Sequence, residues 1–450
     1  MEIAIKITQF ILSLSLLIVL HELGHFIPAK LFKTKVEKFY LFFDYKFSIV
    51  KKKIGDTVYG IGWIPLGGYV KIAGMIDESM DKEQMMQEPK PWEFRSKPAW
   101  QRLIIMLGGV FVNFVLGIFI YIMLMYAYGE KYLPNDNLKD GIFVQDSLAM
   151  NVGLQTGDKI ISVDGKPVKK FFDITISFIN GNEFTIEREG KRIKKELPVD
   201  FIAKLMEAGG KDAGPLVSPR YPFYAAEFHP ESANKNSGIQ QKDLLVSIDS
   251  IPVKYYDEVG TLLSQRKNQE VKVGVKRDQE TLYYTLKVDS IGKLGLYPAR
   301  LKLSEMEKLG YYQLADKEYS FAQAIPAGFN KSVETLTGLV KQIKKIVNPE
   351  TGAYKGLGGF ISIGSIFPAT WSGEAFWNIT AFLSIMLGFM NLLPIPALDG
   401  GHVVFTLWEM ITGRKPSDKF LEYAQIVGFI ILLALLLFAN GNDVFRLFTD

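Results

Sequence analysis

Cysteine is absent from the 450 residues. No disulfide framework is available, and any bound metal must be held through nitrogen and oxygen. Histidine is nearly as scarce, with four in the chain. Net charge is only +4. There is no Gly-rich phosphate loop, zinc knuckle or Arg-rich run, so nucleic acid is not an expected partner. Charge is also missing locally. Ile7–Leu20, Leu103–Ala127, Ala375–Leu398 and Tyr423–Asn442 carry almost none. The last three run 25, 24 and 20 residues, enough for a hydrocarbon core of about 30 Å at about 1.5 Å per residue. The first reaches that length only if its helix continues through His21, Glu22 and His25. It has a single basic residue, Lys6, and no small-residue cleavage site, so it reads as a retained helix rather than a leader.

The remainder is polar. The expected fold is therefore a polytopic α-helical membrane protein with four transmembrane helices, a small membrane-associated β-sheet and a large soluble insert. The connection from Lys30 to Arg102 holds 14 Lys and Arg, and the short third connection holds Arg414, Lys415 and Lys419. By the positive-inside rule both face the cytoplasm, leaving both termini and the insert outside.

Residues 1–33 form the first span. Residues 34–100 are rich in Val, Ile, Tyr and Phe and predict short strands with turns at Ile54–Asp56 and Leu66–Gly68, then a flexible Met-rich connection over 76–99. The second span covers 101–129. Within the insert, "GLQTGDKIISVDGKPV" from Gly153 aligns with "GIQQKDLLVSIDSIPV" from Gly238 at a constant offset of 85 residues. This internal repeat resembles the strand-turn-strand signature of PDZ domains, implying a tandem PDZ (α+β) insert over 130–215 and 216–300. Lys242 and Ser250 replace Gly157 and Gly165 in the second copy, which puts its turn geometry in question. PDZ units take peptide ligands by strand addition; the alternative is a steric cover. Residues 301–372 predict an external surface helix and a Gly-rich approach to the membrane. The third span is expected over 373–400, a cytoplasmic connection over 401–421, and the fourth span and tail over 422–450.

The chemistry sits in the first span. His21, Glu22 and His25 form H-E-x-x-H. On a helix the two imidazoles share one face and can hold one metal, with the glutamate beside them as general base. Titratable groups inside an apolar helix are costly and mark function, or else satisfied polar packing. A catalytic zinc needs a third protein ligand. The candidates are His229, His402 and acidic residues. His229 falls in the insert. Asp399 and His402 share the cytoplasmic end of the third span, where about 27 Å of helical rise also places His21. Spacing does not choose between them. Pro394 and Pro396 interrupt the helix there, exposing backbone groups. Asn113 reads equally as an interhelical hydrogen bond or a catalytic contact.

Taken together, "HELGH", "GWIPLGGYVKIAGM", "LGGVFVNFVLG", the tandem repeat, "NLLPIPALDGGH" and "GFIILLALLLFANGNDVFR" resemble the site-2 protease family of intramembrane zinc metalloproteases, of the bacterial RseP type. "GGFISIG" departs from it, with Phe360 where relatives often have proline. The resemblance implies Zn2+ as cofactor, Asp399 as third ligand and Glu22 as general base. Asn391, Pro394 and Pro396 would contact substrate, as would Gly67, Gly68 and Tyr69 in a strand that pairs with it. It implies a single-pass membrane protein as substrate, an anti-sigma factor remnant in an envelope stress response or remnant signal peptides. It also implies a bacterial inner-membrane location. The competing expectation is a non-enzymatic membrane scaffold that binds partners through its PDZ units.

Overall fold

A computed structural model describes residues 2–75, 88–208, 215–299 and 301–449. The expected connection over 76–99 lies partly outside them. The chain divides into two compact units, Glu130–Lys317 and the remainder.

The larger unit begins with α1 (Glu2–Leu31), which continues through His21, Glu22 and His25. A four-stranded sheet follows, β1 (Val36–Phe43), β2 (Val50–Ile54), β3 (Thr57–Ile61) and β4 (Ile64–Ile72), in the order β2-β3-β1-β4. The β2–β3 turn falls where expected, with Gly55 at φ +60°. The turn expected at Leu66–Gly68 is instead the interior of β4, paired antiparallel to β1 through Gly68 and Tyr69. Its glycines serve close packing rather than a reversal. A Cβ on Gly68 would lie 2.5 Å from Ile18 Cγ2 and 2.7 Å from Tyr40 O, so β4 can lie against α1 only without a side chain there. Next comes α2 (Ala99–Tyr128). It packs on α1 through Gly24 and Gly108, where a Cβ on Gly108 would fall 1.9 Å from Gly24 O. Small residues that let backbones touch are the usual device for holding membrane helices together.

Within the second unit, the 85-residue offset is a structural repeat. The first copy contains β5 (Lys159–Val163), β6 (Lys166–Pro167), α3 (Ile174–Asn180), β7 (Glu183–Arg188) and β8 (Lys191–Glu196). The second contains β9 (Leu244–Ile248), β10 (Ile251–Pro252), α4 (Tyr256–Ser264), β11 (Glu270–Arg277) and β12 (Glu280–Lys287). The sheets share one order, β6-β5-β7-β8 and β10-β9-β11-β12. Arg188 grips both carboxylate oxygens of Asp158 at 2.6 and 2.8 Å and the carbonyl of Gly153 at 2.8 Å. Arg277 repeats this on Asp243 at 2.7 and 2.7 Å and on Gly238 at 2.9 Å. Lys242 and Ser250 take the left-handed conformation of the glycines they replace, with φ +74° and +69° against +95° and +72°. The turn is therefore kept despite the substitutions.

Back in the larger unit, α5 (Phe321–Val347) buries Ala324, Gly328, Ser332 and Leu339. Gly328 sits against the Ile122 backbone of α2. The short α6 (Phe360–Ser365) is capped from the far end of the chain, because Asp443 accepts hydrogen bonds from the Ser362 N–H and hydroxyl. The third apolar helix, α7 (Gly373–Asn391), stops short of the expected span over 373–400. Pro394 and Pro396 lack the N–H donors a helix requires. The expected connection over 401–421 is mostly α8 (Asp399–Thr412), and α9 (Asp418–Thr449) closes the fold. Among the described residues four helices, α1, α2, α7 and α9, are long and apolar enough to cross a membrane.

Candidate metal centre

Three atoms from two distant parts of the chain form a nearly equilateral triangle. His21 Nε2 and His25 Nε2, one turn apart on α1, are 3.3 Å from each other. Asp399 Oδ2, at the start of α8, is 3.4 Å from each of them. A tetrahedral zinc with bonds of about 2.0–2.2 Å separates its ligand atoms by about 3.3–3.6 Å. The donors fit. The carboxylate oxygen is buried and has no hydrogen bond, and two imidazole lone pairs turned on it would repel one another without a cation between them.

Supporting groups set the nitrogens. His25 Nδ1 donates to Ile105 O at 2.8 Å, leaving the Nε2 lone pair for a metal. His21 Nδ1 lies 2.9 Å from the side-chain amide of the fully buried Asn113. The Asn113 oxygen has no partner. Exchanging that amide's oxygen and nitrogen lets His21 Nδ1–H donate to it and frees Nε2 as at His25. Ser384 Oγ donates to the Asn113 backbone carbonyl at 2.7 Å and pins this stretch of α2 to α7. Gly109, also on α2, leaves room for the rings. A Cβ there would be 2.3 Å from His25 Nε2.

The triangle opens into a cavity of about 570 Å³. Glu22 lines it beside the histidines, with its Cγ 3.5 Å from the position a Cβ on Gly68 would take. The opposite wall is β4, from Gly68 to Ile72. Among the described residues it stands at the edge of its sheet. Asn391, at the end of α7, places its amide nitrogen 3.2 Å from His21 Nε2. Pro394 and Pro396 do not line the cavity, nor does Gly67. The two prolines shape the turn between α7 and α8, and Gly67 precedes the lining residues on β4. His402 lines the wall but stands outside the triangle, and His229 lies in the other unit, its Nδ1 accepting from Glu231 N–H at 3.2 Å.

The sequence profile of Peptidase family M50 matches residues 9–435. The chain belongs to peptidase family M50. This M50 chain is 28% identical over 466 residues to the Escherichia coli protein named regulator of sigma-E protease RseP, covering 98% of each. It is 27% identical over 452 residues to a Campylobacter jejuni protein named "Putative zinc metalloprotease", covering 99% of this chain and 94% of that one. The M50 chain is thus a zinc metalloendopeptidase of the site-2 protease family, built as a multi-pass membrane protein.

Two parts of this M50 centre carry little local signal in the sequence. Asn113 was ambiguous because nothing in the sequence reports the rotation of α2 relative to α1. Gln425 of α9 lines the cavity. Its only signal was an amide near the start of an apolar run.

Proposed function

We propose that the chain hydrolyses a peptide bond in single-pass membrane proteins, with His21, His25 and Asp399 as zinc ligands and Glu22 as general base. The observation that carries this reading is the triangle of ligand atoms facing an edge strand, β4, across one cavity. Zinc supplies a Lewis acid that polarises a carbonyl and brings the pKa of water toward neutrality. Glu22 takes the proton of the attacking water and returns it to the leaving amide nitrogen. A substrate helix shields its amides in its own hydrogen bonds, so it must unwind locally. The outer edge of β4, at Gly68 and Tyr69, offers backbone partners that hold the segment extended. The Asn391 amide stabilises charge developing on the scissile carbonyl oxygen. Pro394 and Pro396 act on substrate indirectly, through the turn they shape.

The insert is read as a tandem PDZ pair, supported by the duplicated sheets and the repeated Asp–Arg pair, that restricts access to substrates already trimmed outside. The charge of the short connections supports placing both termini and the insert outside and the active site toward the cytoplasm of a bacterial inner membrane. The name of the E. coli relative supports a pre-cleaved anti-sigma factor as substrate, with remnant signal peptides as a second class. Against a non-enzymatic scaffold stand the three converging ligand atoms.

The test is Glu22→Gln in full-length protein in detergent. Zinc content should stay at wild-type level while cleavage of a single-span reporter is lost. Cleavage at the wild-type rate would remove Glu22 from its role. Wild-type zinc content in Asp399→Ala would remove Asp399 from the ligand set.

A further inference from the structure

We propose that α9 positions the third metal ligand: Gln425 and Gly428 hold the Pro396–Ala397 peptide group in the one orientation that delivers Asp399 to the histidines. This rests on Asp399 being a ligand, as argued above.

The segment Ile395–Leu398 is a four-residue turn closed by Leu398 N–H donating to Ile395 O at 3.0 Å. Pro396 takes its second position and Ala397 its third, with φ +79°. That is the backbone of a type II turn, whose third position normally needs glycine. Alanine is strained there. Types I and II differ by a half-rotation of the central peptide, and type I is the form alanine prefers. An outside contact must therefore hold the observed form.

Both ends of that peptide meet α9. Ala397 N–H donates to Gln425 Oε1 at 3.1 Å. The carbonyl oxygen of Pro396, on the other side of the same plane, lies 1.7 Å from where a Cβ on Gly428 would sit. Residues 425 and 428 are three apart and share a helix face, so one face reads both ends of one peptide. A half-rotation would turn the carbonyl oxygen onto the Gln425 acceptor. Gln425 is buried and lines the cavity alongside Ala397, Leu398 and Asp399. The turn has little other freedom. A Cβ on Gly400 would lie 2.2 Å from Leu393 O, and one on Gly401 2.7 Å from Ile395 O. Fixing the peptide therefore fixes Asp399, two residues later. Gln425 is a positioning residue, acting on the ligand through the backbone.

The experiment measures zinc retained by full-length protein in detergent against graded chelator, for wild type, Gln425→Ala, Gln425→Glu, Gln425→Ala with Ala397→Gly, and Asp399→Ala. Loss of a group that orients a ligand typically weakens metal affinity about 10- to 100-fold, and Gln425→Ala should fall in that range. Gln425→Glu keeps an oxygen acceptor and should stay near wild type. Glycine adopts φ +79° without help, so Ala397→Gly should restore most of the affinity lost in Gln425→Ala. A general packing defect within α9 would not be rescued by a glycine in the turn before α8. Wild-type affinity in Gln425→Ala, or no rescue by Ala397→Gly, overturns this inference. Zinc retention by Asp399→Ala overturns the ligand reading beneath it.

Discussion

Gly109→Ala tests the geometry of the centre with one added methyl group. The new carbon would be 2.3 Å from His25 Nε2, 2.6 Å from His21 Cε1 and 2.8 Å from His21 Nδ1. Carbon and nitrogen in contact sit nearer 3.5 Å, so both rings must move by about 1 Å. Neither can do so freely. His25 is tethered through Nδ1 to Ile105 O, and His21 lies against Asn113. Moving the rings breaks the triangle. Keeping them forces α2 away from α1, whose contact at Gly24 and Gly108 has no slack. Overpacking of this kind costs about 1–3 kcal/mol. Expressed at the metal, that is about a 5- to 150-fold loss of zinc affinity. The assay is zinc retention against graded chelator, alongside reporter cleavage and thermal unfolding. Gly117→Ala on the same helix is the control. Its Cβ would meet chiefly the Cδ1 and Cγ1 of Ile385, at 2.6 and 2.7 Å, a side-chain end that can rotate away, so zinc retention should be unchanged. Equal affinity in Gly109→Ala and wild type, or equal loss in both variants, would refute the reasoning.

Asn113→Ala removes the partner of His21 Nδ1, and zinc affinity should fall about 10- to 100-fold in the same assay while the protein stays folded. In the insert, Arg188→Ala leaves the fully buried Asp158 carboxylate uncompensated. The insert should lose about 3 kcal/mol of stability, read as earlier thermal unfolding or faster limited proteolysis. Asp140 accepts from Lys254 Nζ at 2.5 Å and Tyr255 Oη at 2.6 Å. Chiefly the Lys254 hydrogen bond, then that of Tyr255, holds its carboxyl below the ordinary range. A depressed folded-state pKa adds stability above the unfolded value and loses it as pH falls through the folded one. Below about pH 4 the wild-type insert should therefore destabilise more steeply than Asp140→Asn, as thermal unfolding at stepped pH will show.

Much of this protein was legible in sequence for local reasons. Charge-free runs mark the four apolar helices because the bilayer imposes a length. H-E-x-x-H places two imidazoles on one face because helical periodicity is fixed. The 85-residue offset found the repeated unit, since a duplicated fold keeps its turn and core positions. Where the reading erred, tertiary contact had overridden a local signal. Gly67 and Gly68 look like a turn, yet they lie in β4, where the bare Gly68 lets the strand approach Ile18 of α1. The third span, expected to reach residue 400, ends at Asn391, ahead of the two prolines already marked as interrupting it. Lys242 and Ser250 look unsuited to left-handed turns, yet the surrounding strands hold them there.

The sequence by itself determined the residue types of the centre: two histidines and a glutamate on one helix, and a choice of distant third ligands. Bringing Asp399 rather than His402 to the two histidines, Asn113 behind His21 and Gln425 against the turn before Asp399 depends on how helices far apart in the chain are rotated against one another. That rotation follows from the packing of whole helix surfaces, through contacts such as Gly24 on Gly108 and Gly428 on Pro396, and no local stretch of sequence encodes it.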